Sequence, residues 1–348
     1  MVDQMQVLVT GSEGYIGSVL CPLLKSKGYK VIRWDTGFFQ DCVLPGMIIP
    51  GSFVQKDLRD LVSSDLKGID AIIHLAALSN DPMGELNPEL TNEINFKASA
   101  NLAKKAKDAG VQRFIFSSSC SVYGAAGSKK ITETSDLSPV TEYAKSKVRT
   151  EAALHELAGG SFHPVCLRNA TVFGLSPRIR FDLVVNQFVA FASITKHIKM
   201  LSDGTPWRPN VHVQDVCAAF MAMLEAPIEA IHDETFNVGM DSENYPVRKI
   251  ANLVIEAVPG SRLECLNQTP NDPRSYNVSF EKIHKKIPGF HPKWSVKKGI
   301  EEMHEAIVTA GITEPDMLSR RYVRLKQLQF LMESRKIDSF LRWNEGVV

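Results

Sequence analysis

Short apolar, β-branched runs alternate with longer segments of helical periodicity through the first half of the chain. The apolar runs are nearly continuous and have the length of strands buried on both faces. Strands that alternate with helices form a parallel sheet covered by helices on both sides, so the pattern predicts a doubly wound α/β fold. The predicted strands of this half are residues 5–10, 30–34, 71–75, 113–117 and 164–167, and the predicted helices are residues 16–28, 58–66, 92–110 and 143–157.

The second half of the chain is less regular, with helical patterns at residues 183–194, 246–258 and 296–309. No low-complexity linker separates the two halves, so we expect interleaved lobes rather than separate beads. Residues 1–172 are predicted to form the larger lobe. Residues 173–313 are predicted to form a smaller α/β lobe, from which the chain crosses back to the first near residues 211–238.

Residues 314–343 carry one amphipathic helical pattern, and we interpret residues 314–348 as a helical tail. The apolar stripe fits two interpretations: packing on the chain's own body, or contact with a partner or second subunit. Its apolar positions recur every three or four residues, at Leu318, Tyr322, Leu325, Leu328 and Leu331.

Composition narrows the class of protein. The chain has 40 basic and 39 acidic residues, a net charge of +1, which provides no electrostatic footprint for nucleic acid or an anionic membrane. No apolar run approaches the length of about 18 residues that a membrane span needs, and the N-terminus does not resemble a signal peptide. Six scattered cysteines without CxxC spacing indicate reduced thiols. We therefore expect a cytoplasmic protein without a metal site.

The segment TGSEGYIG, residues 10–17, follows a predicted strand and opens a predicted helix. Gly11 permits a tight turn, Gly14 lets the backbone approach a pyrophosphate, and Gly17 lets the helix pack close to the sheet. The helix N-terminus then offers free N–H groups and a positive dipole end to phosphates. This context predicts a Rossmann-type dinucleotide site, with Tyr15 and Ile16 of the same turn as further contacts.

Asp35 ends the second predicted strand, 18 residues after Gly17, where a carboxylate accepts hydrogen bonds from the adenosine ribose. The residues that follow contain no Arg or Lys to bind a 2′-phosphate, so NAD is favoured over NADP. Asp57 and Leu58 are predicted near the adenine. The small residues of HLAA, of which Leu75, Ala76 and Ala77 are predicted cofactor contacts, leave room for the centre of the cofactor.

Tyr143 and Lys147 lie four residues apart on a predicted helix and therefore share one face. A phenol has a pKa of about 10 and is a weak base at neutral pH, but a neighbouring ammonium favours the phenolate. Tyr143 is thus a candidate to take the proton of a substrate hydroxyl as hydride leaves for the nicotinamide. The hydroxyl cluster SSSCSVYG, residues 117–124, ends a predicted strand upstream and places Ser117 beside the cofactor.

These motifs together resemble the extended short-chain dehydrogenase/reductase family, in its NAD-dependent nucleotide-sugar epimerase and dehydratase branch. The resemblance covers about residues 6–309. It implies that Ser119 polarises the reacting C–O group, Tyr143 is the acid/base, and Lys147 holds the nicotinamide ribose. It also implies a homodimer in which the helices at residues 92–109 and 143–157 of both copies form a four-helix bundle.

The second half also resembles the family, through Arg208 in WRPNVHVQD and Arg274 in DPRSY, which the resemblance assigns to the diphosphate of a sugar nucleotide. Guanidinium groups suit this task because they donate bidentate hydrogen bonds. Thr171 stands where relatives often carry a substrate-binding Asn. The full set of predicted substrate contacts is Ser79, Ser119, Cys120, Ser121, Asn169, Arg178, Arg180, Asn186, Arg208 and Arg274.

The reaction is narrowed by the residues after Ser119. Family 4,6-dehydratases carry an Asp-Glu pair there, whereas this chain has Cys120 and Ser121, which argues against a 4,6-dehydratase. An epimerase that oxidises a sugar hydroxyl to a ketone and returns the hydride fits better. Cys120 is either an additional acid/base or a small residue that fills the strand end. A dehydrogenase or ketoreductase that exchanges NAD remains the alternative, and a non-catalytic NAD-sensing protein is a remote one.

Overall fold

The structure is a computed structural model that describes residues 4–79, 87–266 and 274–344, except for the side chains of residues 126–129. The strands are β1 (Gln6–Thr10), β2 (Lys30–Asp35), β3 (Val54–Gln55), β4 (Ala71–His74), β5 (Arg113–Ser119), β6 (Ala125–Ile131), β7 (His163–Asn169), β8 (Thr171–Phe173), β9 (His197–Met200), β10 (Trp207–His212), β11 (Glu234–Val238), β12 (Asn244–Pro246), β13 (Arg262–Cys265) and β14 (Ser275–Val278).

Twelve α-helices are described in the same residues. They are α1 (Gly17–Ser26), α2 (Pro88–Thr91), α3 (Ala98–Asp108), α4 (Glu142–Leu157), α5 (Val184–Thr195), α6 (Val213–Glu225), α7 (Ile228–Ile231), α8 (Val247–Ala257), α9 (Glu281–Lys286), α10 (Val296–Thr309), α11 (Glu314–Met317) and α12 (Arg324–Glu333). A π-helical stretch, Asn92–Lys97, joins α2 to α3. Among the described residues no helix is both long and apolar enough to cross a bilayer.

The central sheet has seven strands in the order β11-β7-β5-β4-β1-β2-β3, and every pairing in it is parallel. The doubly wound α/β fold predicted from the alternating pattern is therefore confirmed. The strand order reverses at β1, whose neighbours are β4 and β2. Ligands of such sheets bind beyond the carboxyl ends of the strands at this point of reversal, which fixes where a site is expected.

The faces of the sheet follow from the alternation of side chains along each strand. On β1, Val7 and Val9 are fully buried in one core with Phe220 of α6 and Leu24 of α1. Leu8, between them, points to the opposite core, which it shares with Leu102 of α3. Continuous apolar strands were the sequence signal for this arrangement, because both faces of the sheet are covered by helices.

The smaller lobe has its own apolar core, built from helices α5, α8 and α10. Its three-stranded sheet has the order β12-β10-β8, and from β10 the chain returns through α6 to β11 at the edge of the central sheet. The two lobes are also joined by a parallel pairing between β14 of the smaller lobe and β6 of the larger one. The boundary predicted at residues 172/173 falls inside β8.

Two predicted helices differ from the structure. Residues 58–66 form two short 3₁₀ turns, Leu58–Asp60 and Ser63–Leu66, rather than one helix. Asp57 caps the first turn by accepting a hydrogen bond from the N–H of Arg59, and such local side-chain bonds compete with helix extension. The single helix predicted over residues 314–343 is also wrong: α11 and α12 are separate, and an antiparallel bridge between Ile337 and Trp343 follows them.

Candidate active site

A cavity of about 590 Å³ lies at the carboxyl ends of β1, β2, β4, β5 and β7 and extends between the two lobes. Both lobes and the C-terminal helix α12 contribute to its wall. Of the cofactor, catalytic and substrate residues predicted from the sequence, the cavity is lined by Gly11, Gly14, Tyr15, Ile16, Gly17, Asp35, Asp57, Leu58, Leu75, Ala76, Ala77, Ser79, Ser117, Ser119, Ser121, Tyr143, Lys147, Asn169, Arg180, Arg208 and Arg274.

The glycine turn is tight enough to need its glycines. A methyl group on Gly11 would lie 2.7 Å from the backbone nitrogen of Ala76, and Gly11 has a φ of +71°. A methyl group on Gly17 would lie 2.4 Å from the carbonyl oxygen of Gly11. Helix α1 therefore begins against the turn with its first N–H groups toward the cavity, the arrangement that binds a diphosphate. The residues of this turn fit a dinucleotide.

Asp35, at the end of β2, lies at the other side of the turn. Its carboxylate accepts hydrogen bonds from the N–H groups of Glu13, at 2.9 Å, and Gly37, at 2.8 Å. Burial raises the pKa of Asp35 above its usual value, and the two backbone donors oppose that rise. The carboxylate is thus fixed in position beside the cavity, where ribose hydroxyls would find an acceptor.

Tyr143 and Lys147 lie on the first turns of α4, which Thr141 caps by accepting a hydrogen bond from the N–H of Ala144. The Lys147 ammonium donates to the carbonyl of Ser117 at 2.7 Å and lies 5.6 Å from the centroid of the Tyr143 ring. Burial lowers the pKa of Lys147 to about 8. The half-buried Tyr143 faces the same cavity, so the ammonium and the phenol act on one space.

The end of β5 supplies hydroxyl groups opposite Tyr143. The Ser119 hydroxyl accepts a hydrogen bond from the N–H of Ser121 at 3.1 Å, which leaves its own proton to donate. Two polar atoms of the wall, Ser121 Oγ and Asn169 Oδ1, are buried without a hydrogen-bond partner. Because buried polar groups are normally paired, this part of the cavity is built to receive a polar ligand.

A buried ion pair that the sequence motifs do not indicate contacts the residue next to Ser119 at this strand end. Arg168 on β7 and Glu151 on α4 pair at 2.7 Å, with side chains 7% and 9% exposed. Glu151 also accepts a hydrogen bond from the hydroxyl of Ser118, the neighbour of Ser119. The sequence does not indicate this pair, because Glu151 is one of several charged residues on its helix and local periodicity does not show that it meets Arg168.

The far end of the cavity is basic. The Arg208 side chain donates hydrogen bonds to the carbonyls of Trp207 and Arg274. Its guanidinium lies over the ring of Tyr276. The first residues of the predicted DPRSY motif lie outside the described residues, but Arg274 itself lines the cavity. Nearer the glycine turn, Arg180 donates to the hydroxyl of Ser79 at 2.9 Å.

Three predicted substrate contacts lie outside the cavity wall, and those predictions are corrected. Arg178 is 3% exposed and binds Glu13 and the carbonyls of Phe39 and Gln40. Asn186 is fully buried and binds Tyr15, the N–H of Gly174 and the carbonyl of Arg180. Both side chains connect loops of the protein instead of facing a ligand. The sequence alone does not distinguish these two roles for a polar residue near a motif.

Cys120 is the third. This residue is 1% exposed and does not line the cavity, and its thiol donates to the carbonyl of Arg168 at 3.2 Å. Burial raises the pKa of Cys120 far above its usual value, so a thiolate does not form near neutral pH. Of the two interpretations of this residue, the structure supports the small residue that fills the strand end.

Comparison with known proteins places the chain in a protein family. Residues 7–239 match the sequence model of the NAD dependent epimerase/dehydratase family. A Bacillus subtilis (strain 168) protein described as the uncharacterized UDP-glucose epimerase YtcB is 29% identical over 320 residues, which cover 85% of this chain and 96% of that protein.

Solved structures agree with this match. The UDP-glucose 4-epimerase of Thermotoga maritima, solved with UDP-glucose, has a TM-score of 0.76 at 25% identity and covers 88% of this chain and 100% of its own. The NAD-dependent NDP-hexosamine 5,6-dehydratase TunA has a TM-score of 0.77 at 23% identity, covering 88% and 98%. The fold and the family match together show that this chain is an NAD-dependent enzyme and belongs to the epimerase/dehydratase family, as its motifs predict.

Proposed function

We propose that this protein is an NAD-dependent nucleotide-sugar epimerase. The observation that carries the proposal is the content of one cavity: Ser119, Tyr143 and Lys147 at one wall, and Arg208 and Arg274 at its far end. Relatives of this chain include epimerases and dehydratases that act on nucleotide sugars, so the proposal must also separate these reactions.

Elimination of water needs a paired acid and base beside the sugar. Among the described residues of the cavity wall the carboxylates are Asp35, Asp57 and Asp182. Asp35 is bound by two backbone N–H groups, Asp57 by Arg59 and Asp182 by Arg180. Each of these three carboxylates is thus already held by a cation or by backbone donors. This favours a reaction that requires proton transfer at a single hydroxyl.

The residues of this wall would divide the work as follows. Ser119 donates a hydrogen bond to the reacting oxygen, and Tyr143 takes its proton and later returns it. Lys147 holds positive charge next to the phenol, which favours the phenolate. The bound nicotinamide supplies the hydride acceptor. The ketone then needs only to present its other face, for which a cavity of about 590 Å³ has room.

Arg208 and Arg274 are proposed to bind the diphosphate of the sugar nucleotide, because guanidinium groups form charge-assisted, bidentate hydrogen bonds with phosphates. The carbonyl of Arg274 accepts a hydrogen bond from Arg208, which ties the two segments together at this end of the cavity. A sugar joined to a diphosphate held there would extend toward Tyr143.

We also propose that two copies assemble through α3 and α4, as the family resemblance implies. Ala100 on α3 and Ala153 on α4 are small and partly exposed, which suits close helix packing. Analytical ultracentrifugation of the purified protein tests this: a monomer at micromolar concentration would contradict it.

The enzymatic proposal is tested by ¹H NMR in D₂O, with no cofactor added, on UDP- and dTDP-linked hexoses, N-acetylhexosamines and hexuronic acids. Appearance of an epimer without incorporation of deuterium is expected for one of them. Tyr143→Phe should lower the rate by about 10²- to 10⁴-fold. Tyr29→Phe is the matched control, because Tyr29 contacts Glu225 outside the cavity. A dehydrated keto-sugar, or turnover only with added NAD and accumulation of NADH, would refute the epimerase.

A further inference from the structure

The C-terminal segment, residues 314–344, closes one side of the cavity. Leu328 and Leu331 of α12 are buried in one cluster with Phe38, which follows β2, and Leu78, which follows β4. Strands β2 and β4 flank β1 in the central sheet. The helix therefore spans the space above the carboxyl end of β1, where the glycine turn lies.

Arg324 is the residue by which α12 lines the cavity wall. It is 2% exposed, its Nη2 donates to the carbonyl of Arg178 at 2.8 Å, and its guanidinium lies 4.5 Å from the ring centroid of Phe39. Its Nη1 is buried without a hydrogen-bond partner. A buried guanidinium N–H without an acceptor is costly, so this donor indicates a ligand group that accepts from it.

The charge at this place is positive. Arg180 pairs with Asp182 at 2.9 Å, and the same carboxylate accepts a hydrogen bond from the backbone N–H of Arg324. Arg180 and Arg324, both buried, thus contact the carboxylate of Asp182, the first through its guanidinium and the second through its backbone. Burial, together with the positive charge of the neighbouring Arg180, lowers the pKa of Arg324 to about 10. An anion bound between the two arginines would neutralise this buried positive charge, and buried charges are normally paired.

The position of Arg324 identifies the anion. Its guanidinium lies over Phe39, beyond β2, and its neighbour Arg180 reaches Ser79, beyond β4. Between these strands lie β1 and the glycine turn, whose helix N-terminus binds the diphosphate of a dinucleotide. We propose that Arg324 binds the cofactor diphosphate from the side opposite the glycine turn, and that the C-terminal segment thereby retains NAD in the enzyme.

The end of the same segment covers the adenosine side. Trp343 donates through Nε1 to the carbonyl of Thr36 at 2.7 Å, and Arg59 donates to the carbonyl of Phe340 at 2.8 Å. Arg342 lies 3.3 Å from Asp57. These contacts join the segment to the residues that follow β2 and β3. Release of the dinucleotide therefore requires that these contacts break.

The inference rests on NAD dependence and not on the sugar reaction, so its test contains no sugar nucleotide. Calorimetry compares ADP-ribose, which has the diphosphate, with adenosine, which lacks it, on protein stripped of cofactor. Arg324→Gln should weaken ADP-ribose binding by about ten- to a hundredfold, the effect of one charge-assisted contact, and leave adenosine binding unchanged. Arg324→Lys, which keeps the charge, should restore part of the affinity. Arg321→Gln, an exposed arginine of the same segment, is the control.

Equal weakening of ADP-ribose and adenosine in Arg324→Gln would overturn the proposal, because Arg324 would then only hold the segment in place. Unchanged binding of both would overturn it as well. If the Gln variant does not fold, Arg324→Lys decides the question, with a selective loss for ADP-ribose expected and an equal loss contradicting the proposal. Loss of epimerase activity alone decides nothing about Arg324, so the two proposals fail separately.

Discussion

The ammonium of Lys147 donates a hydrogen bond to the carbonyl of Ser117 and lies 5.6 Å from the centroid of the Tyr143 ring. The two side chains share one face of α4 because they are four residues apart. The lysine is buried, and burial lowers its pKa to about 8. The cation that we propose to favour the Tyr143 phenolate is therefore held at a cost to stability, as is common for groups at functional sites.

Because of this cost, the difference in unfolding free energy between the wild type and Lys147→Met should depend on pH. In the unfolded chain a lysine titrates near pH 10.4, whereas Lys147 titrates at about 8 in the fold. Between these values the unfolded state holds more protons, so the wild type gains stability relative to the variant as pH rises from about 8 to 10.4. Chemical denaturation of the cofactor-free proteins at pH 7 and pH 10 measures this gain. If the two proteins differ in unfolding free energy by the same amount at both pH values, the pKa of Lys147 is not lowered in the fold.

Breaking the Arg168–Glu151 pair should destabilise the protein strongly. Glu151→Ala leaves a buried guanidinium unpaired, and the expected loss is about 3–5 kcal/mol of unfolding free energy. The matched control is Glu281→Ala, whose partner Lys285 is 75% exposed, and there little or no loss of stability is expected because solvent screens the pair. Urea titration compares the two. Similar losses at both positions would contradict the structural role of the buried pair.

Gly17→Ala should prevent cofactor binding. The new methyl group would lie 2.4 Å from the carbonyl of Gly11, so α1 must move away from the turn that holds the diphosphate. Overpacking of this kind costs about 1–3 kcal/mol of stability as well. Gly289→Ala is the control, since nothing lies within 4 Å of a methyl group there. Absorbance at 260 nm of the purified proteins measures the bound nucleotide, and full occupancy of Gly17→Ala would refute the packing argument.

Trp343→Ala should speed the release of NAD. The substitution removes the hydrogen bond to the carbonyl of Thr36 and the ring contact with Phe38, at 5.6 Å between centroids. Together these are worth about 1–2 kcal/mol, or roughly tenfold in the release rate. Phe340→Ala, in the same segment but 61% exposed, should release NAD like the wild type. Competition with labelled NAD measures both rates; equal rates would mean that this end of the segment does not retain the cofactor.

Much of the fold and of the cavity wall follows from local sequence. The glycine turn, Asp35 and the Tyr143–Lys147 pair are recognisable because each function depends on residues a few positions apart and on the strand or helix that carries them. Parallel strands then bring all these segments to one edge of the sheet without any further information. This is why residues predicted from several separate motifs line a single cavity.

The errors and omissions concern contacts between distant parts of the chain. Arg324 reaches the carbonyl of Arg178 across 146 positions, and Trp343 reaches Thr36 across 307. Periodicity shows only that a segment has an apolar face, so residues 314–343 are predicted as one helix that packs either on the chain's own body or on a partner or second subunit. Arg178 and Asn186 were misassigned for the same reason: their partners, Glu13 and Tyr15, belong to the glycine turn of the other lobe.

The most direct test of the whole account is to denature the purified protein and identify the released nucleotide by mass spectrometry. We predict close to one NAD per chain, because the glycine turn, Asp35 and the C-terminal segment all hold a cofactor that an epimerase regenerates in each cycle. Release of NADP or NADPH would contradict the role of Asp35. A protein that releases no nucleotide and binds NAD only weakly would contradict a retained cofactor, and would indicate a dehydrogenase that exchanges it with solution.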